Sequence, residues 1–142
     1  MVFEIGSLSG GAQRFLVPWI IMKLVLYKIM NPARHLSHLL VFDEAHANLL
    51  SKSLELRGRT SFMGTLVCQS RAWGMGLICL SQAPAKKLIS DVIDNSCIKV
   101  SFHLGSGDEI FNFGGRSMGL SVDQMETIHH LKRGEAIIRT GL

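Results

Sequence analysis

Leu39-Leu40-Val41-Phe42-Asp43-Glu44-Ala45-His46 is an apolar run that stops abruptly at two adjacent carboxylates. A strand covered on both faces reads as continuous apolar sequence, whereas a half-solvated strand alternates. Acids at the C-terminal end of such a strand stand where open α/β sheets gather their ligands. The run therefore predicts a buried parallel strand that delivers Asp43 and Glu44 to the chemically useful edge of a sheet.

The flanking sequence supplies the rest of an alternating pattern. Val2 to Ile5 predicts a short strand, and Gln13 to Met30 a helix that Asn31-Pro32 ends, with Pro18 tolerated only within the first turn. Beyond the acids, Ala45 to Leu56 and Phe62 to Trp73 read as helices on either side of a turn at Gly58. Gly74 to Ser81 returns to a strand around Leu77-Ile78-Cys79-Leu80, and Ala85 to Ile93 is a short helix. Ile98, Val100, Phe102 and Leu104 alternate with Lys99, Ser101 and His103, as in a strand with one face less buried. Glycines and Asp108 mark a loop, Asp123 to Leu131 a helix and Glu135 to Arg139 a closing strand. The expected fold is α/β: a mostly parallel sheet of about five strands with helices on both faces.

A chain of 142 residues, 47% hydrophobic, is long enough for one core and too short for two ordinary domains, so residues 1–142 are expected to form a single domain. The net charge of +4 permits contact with a polyanion without requiring one. Cys68, Cys79 and Cys97 stand singly in apolar surroundings and predict buried thiols in a reducing, cytoplasmic setting. The start, Met1-Val2-Phe3-Glu4-Ile5, has neither the basic region nor the apolar core of a secretory signal. The greasiest segment, Phe15 to Met30, carries Lys23 and Lys28 and falls short of the ~20 apolar residues of a membrane span, so no span is expected.

The acid pair has the form of a Walker B motif, in which the first carboxylate holds Mg²⁺ and the second polarises the water that attacks a nucleotide's terminal phosphate. The complementary G-x-x-x-x-G-K-[ST] phosphate loop occurs nowhere in the sequence. Without its backbone amides and Lys most nucleotide affinity is missing, so these residues alone are expected to be inactive.

Four further pieces follow in order: Arg71-Ala72-Trp73-Gly74, then Leu80-Ser81-Gln82-Ala83-Pro84, then Asn95 with Lys99-Val100-Ser101-Phe102, then Leu131-Lys132-Arg133-Gly134-Glu135-Ala136. Together with the acids they resemble the C-terminal half of the HerA/FtsK-type P-loop ATPases, which pump DNA; the similarity spans residues 2–138. The resemblance implies a partial P-loop ATPase domain lacking Walker A, working with ATP and Mg²⁺, in a ring, typically a hexamer, of identical or homologous subunits around DNA. It assigns Asp43 to Mg²⁺ and nucleotide binding, Glu44 to general-base catalysis and Gln82 to a sensor that hydrogen-bonds the attacking water or γ-phosphate. Arg71 and Arg116 become candidates for phosphate contact across a subunit boundary. Leu56-Arg57-Gly58-Arg59 and the stretch from Gly105 to Gly119 become candidate duplex-gripping loops.

Other readings compete. Leu8-Ser9-Gly10-Gly11 resembles the signature loop of ABC ATPases, but Asp43 lies 35 residues beyond Leu8, and Gln82 stands where the switch His belongs. Asp43-Glu44-Ala45-His46 spells the DEAH box of superfamily 2 helicases, whose next strand ends S-A-T where this one has Ser81-Gln82-Ala83. A catalytically dead ATPase-like interaction module is the non-enzymatic alternative. Residue by residue, Asp43 could simply cap a helix, Arg71 could be a surface charge, and His35, His38, His129 and His130 lack the third ligand of a metal site.

Overall fold

The computed structural model describes residues 9–45, 50–51 and 62–141. The expected strand at Val2 to Ile5, most of the helix expected from Ala45 to Leu56, and the candidate loop Leu56 to Arg59 lie outside them. Helix α1 spans Gly10–Met30 and begins where the Ser9 hydroxyl accepts the Ala12 N–H at 3.3 Å, the usual service of an N-cap serine. Pro18 therefore sits well inside the helix and not in its first turn. Asn31 closes α1, its backbone N–H donating to Tyr27 O at 2.9 Å.

Strand β1 (His38–Phe42) pairs in parallel with β2 (Met75–Cys79), with Leu40 opposite Leu77 and Phe42 opposite Cys79. Between them in sequence, α2 (Phe62–Gln69) runs into a single 3₁₀ turn, Ser70–Trp73, that Gly74 terminates in a left-handed conformation. The short helices α3 (Pro84–Lys87) and α4 (Ser90–Asn95) follow. Asn95 closes α4, its side-chain amide donating to Asp91 O at 2.9 Å and to Cys68 Sγ on α2 at 3.6 Å. Next come β3 (Ile98–Ser101), α5 (Gly107–Glu109) continuing as a π-helix over Ile110–Ser117, α6 (Val122–His130) and β4 (Ile137–Thr140). Strand β4 pairs antiparallel with β3.

The expected five-stranded, mostly parallel sheet is not formed: the described strands make one parallel pair and one separate antiparallel pair. The cause lies in the second half of the chain. A parallel pair needs a crossover that returns the chain to the same end, whereas α5, the π-helix and α6 return it beside β3 in the opposite direction.

The main core joins Ile21 and Val25 of α1 to Met63 and Leu66 of α2, Met75 of β2, and Leu88, Ile89 and Val92 around α3 and α4, with Leu50 fully enclosed. Each fully buried Leu or Ile here contributes about 1.5–3 kcal/mol. Leu40, Phe42 and Cys79 pack against this core, but the opposite face of the pair is open, with Leu39, Val41, Ile78 and Leu80 exposed. Among the described residues β1 is thus covered on one face and not on two. Ile110, Met118 and Ile128 are buried together with the π-helix and α6. There Gly114 and Gly115 allow close approach, since a Cβ on them would come within 2.9 Å of Ile128 and 2.7 Å of Met125.

The antiparallel pair turns aliphatic side chains outward. Ile98, Val100 and Ile138 are exposed, while Ser101 is buried and Lys99 half-buried. Alternation in sequence identifies a two-faced strand but does not say which face turns inward. The thiols differ from expectation as well: Cys68 and Cys97 are exposed, and Cys79 is half-buried. Burial pushes the Cys79 thiol up from 9.0 to about 11, which keeps it protonated at neutral pH. No described helix is long and apolar enough to cross a membrane.

Candidate functional site

The parallel register decides what meets at the C-terminal edge of β1 and β2. Hydrogen bonding continues beyond the strands: the Leu80 N–H donates to Phe42 O at 2.9 Å, and the Ala45 N–H donates to Leu80 O at 2.9 Å. The backbone of Asp43 and Glu44 is therefore clamped alongside Leu80 and Ser81, and Gln82 follows at the same edge. This is the edge at which open α/β sheets bind ligands.

Local geometry explains how the acids are presented. Glu44 has φ +45°, the only non-glycine residue in the left-handed region among those described. That conformation costs about 1–2 kcal/mol for a residue with a Cβ. It turns the chain out of β1, and Asp43 steadies it by accepting the Glu44 N–H on Oδ1 at 3.0 Å. Ala45 then buries its methyl group in the core. On the neighbouring strand, Ser81 Oγ accepts the Ala83 N–H at 3.3 Å, and Pro84 opens α3 with its preset φ. Asp43, Glu44 and Gln82 are all exposed, and among the described residues the side chains of Glu44 and Gln82 make no hydrogen bond.

Two carboxylates at an open edge suit a hard cation that is bound mainly by water and phosphate oxygens, since Mg²⁺ is commonly held through one or two protein carboxylates. They do not make a closed protein cage. Among the described residues no three His, Cys, Asp or Glu side chains converge, and His35, His38, His129 and His130 belong to no such group.

The arginines lie elsewhere. Arg71 is in the 3₁₀ turn that precedes β2, so the whole strand, roughly 16 Å long at the usual rise, separates it from the acid edge. Its carbonyl accepts the Gly74 N–H at 3.1 Å. Arg116 is on the π-helix, its guanidinium 4.9 Å from the Phe111 ring centroid. The stretch from Gly105 to Gly119, expected as a loop, is helical over Gly107–Ser117. Ser9 of the segment resembling an ABC signature commits its hydroxyl to capping α1. The L-x-x-G-E piece is a turn: the Glu135 carboxylate accepts the Lys132 N–H at 2.7 Å, with Gly134 at φ +91°.

A cleft of about 560 Å³ lies between α3, α4 and the π-helix, and its described lining residues include none of Asp43, Glu44 or Gln82. Beside it is a residue that no sequence motif marks. Glu109 is 3% exposed, and its two carboxylate oxygens accept the Ala85 and Lys86 N–H groups, each at 3.0 Å. It caps α3 immediately after Ser81-Gln82-Ala83-Pro84, while Lys86 pairs with Asp108 at the surface. A cap contributed from more than twenty residues away leaves no local motif.

Glu109→Ala is expected to cost about 2–4 kcal/mol, because two N–H groups lose a charged acceptor at a buried site. Glu109→Gln should cost less, since one oxygen remains. Chemical denaturation of the two variants checks the order, and equal small losses would show that α3 does not depend on this cap.

No protein-family model matches the chain, and no curated protein matches it.

Proposed function

We propose that these residues provide the acid-and-sensor edge of an ATP-hydrolysing motor of the HerA/FtsK type that moves along DNA. The observation that carries the proposal is the parallel pairing of β1 with β2, which brings Asp43-Glu44 and Gln82 to one sheet edge. Glu44 accepts a proton from the attacking water, and its side chain is free of competing bonds among the described residues. Gln82 offers an amide that can both donate to and accept from that water or the γ-phosphate. Asp43 would hold Mg²⁺, which when bound would supply positive charge against the phosphates.

The phosphate loop comes from polypeptide other than the described residues, since the sequence contains no G-x-x-x-x-G-K-[ST]. Arg71, remote from the acids in its own subunit, fits a role toward a neighbouring one. The exposed Phe15, Trp19, Met22 and Leu26 along α1, spaced four, three and four residues apart, suit a helix-packing seam between subunits of a ring.

The test is complementation. Mixing the chain with a homologous subunit that keeps its phosphate loop but lacks its own Walker B acids is expected to restore Mg-ATP hydrolysis, with further stimulation by duplex DNA. No restored turnover at saturating chain would overturn the proposal.

A further inference from the structure

A second site is indicated beside the β3–β4 pair, with none of Asp43, Glu44 or Gln82 among its described lining residues. In the antiparallel register Lys99 lies directly opposite Arg139, so two cations face each other on one side of the β3–β4 pair. Like charges in this arrangement repel. They line a cleft of about 250 Å³ together with Arg116, Ser96 and Ser117, and among the described residues no carboxylate lines it. Among the described residues none of the three cations has a salt-bridge partner.

The pair leaves its aliphatic side chains in solvent. Ile98, Val100 and Ile138 are exposed on one face, while on the side that borders the cleft Lys99 is half-buried and Arg139 exposed. An ordinary solvated pair would place its charges outward and its aliphatic side chains inward. Phe111 lies under the Arg116 guanidinium at 4.9 Å and limits its freedom. The cleft is smaller than those that enclose a whole cofactor, and its donors are two guanidinium groups, an ammonium and hydroxyls, the chemistry of phosphate recognition.

We propose that Lys99, Arg116 and Arg139 form a binding site for a single phosphate group. The group is either a free phosphate anion or a phosphodiester of a nucleic-acid backbone, and the two sources are separable.

The experiment follows the thermal stability of the chain at constant ionic strength as inorganic phosphate, or a short single-stranded oligonucleotide, replaces chloride. Phosphate also stabilises proteins generally by exclusion, so the difference between wild type and variant is the readout. Wild type is expected to show a saturable rise in Tm. Lys99→Met and Arg139→Leu, tested separately so that failure of one to fold leaves the other as the test, should weaken the response tenfold or more. Each should also be at least as stable as wild type without phosphate, because the facing repulsion is gone. Lys132→Met, outside the cleft, should respond as wild type does. A response to inorganic phosphate that the cleft variants lose identifies a free anion. A response to the oligonucleotide alone, lost in the same variants, identifies a nucleic-acid backbone. No saturable response to either probe, or variants that respond like wild type, would overturn the site.

Discussion

Glu44→Gln is expected to reduce the hydrolysis restored by a subunit bearing a phosphate loop by 10²–10⁴-fold, the usual contribution of a positioned general base. That corresponds to about 3–5 kcal/mol of barrier. The substitution keeps the size of the side chain and removes only its ability to take a proton. Glu44 is exposed and, among the described residues, its side chain makes no hydrogen bond, so the folded state should be nearly indifferent to the change. Nucleotide affinity and Tm should stay close to wild type while turnover falls. This separation distinguishes a working acid from a scaffold. An ATPase-like module that merely packs against an active partner would support hydrolysis equally well with Gln at this position. Asp43→Asn probes the other carboxylate, and its loss should be partly offset by raised Mg²⁺.

The half of the molecule that frames the candidate site is also the half most legible in the sequence. The runs Leu39 to Phe42 and Leu77 to Leu80 mark β1 and β2 because paired parallel strands are rich in aliphatic residues. What the runs did not reveal is that Leu39, Val41, Ile78 and Leu80 lie exposed. A continuous apolar run is compatible with two packed faces but does not supply the second layer. The other half was legible in outline only. Ile98 to Leu104 displays the period of a strand, yet its aliphatic face is the outer one. Residues 110–117 read as a loop because Gly114 and Gly115 lower helix propensity; in the structure those glycines let Met125 and Ile128 pack close to the π-helix. Glu109 leaves no local signal for a different reason: its partners Ala85 and Lys86 are distant in sequence.

Gly74→Ala is expected to cost about 3 kcal/mol or more and to lower Tm by about 10 °C, because two penalties coincide at this residue. Its φ of +68° is unfavourable for any residue with a Cβ. The added methyl would also stand 2.6 Å from His35 O and 2.7 Å from Ala33 O, both backbone atoms with little room to withdraw. The consequences reach the acid edge through the strand register. The Gly74 carbonyl accepts the Ser37 N–H at 2.9 Å, the Ser37 hydroxyl at 3.0 Å and the His38 N–H at 3.3 Å, fixing the start of β1 against the start of β2. Lys28, buried in the last turn of α1, donates to the same Ser37 hydroxyl at 2.7 Å. A shift at this end slides Asp43 and Glu44 relative to Gln82 at the other, and a one-residue slip would turn every side chain of the strand to the opposite face. Gly74→Asn tells the two penalties apart. Asn tolerates the left-handed region better than Ala, so if conformation alone mattered it would recover much of the loss. The contacts at Ala33 and His35 predict instead that Asn is no better than Ala, and near-native stability of the Asn variant in chemical denaturation would refute the close-approach argument.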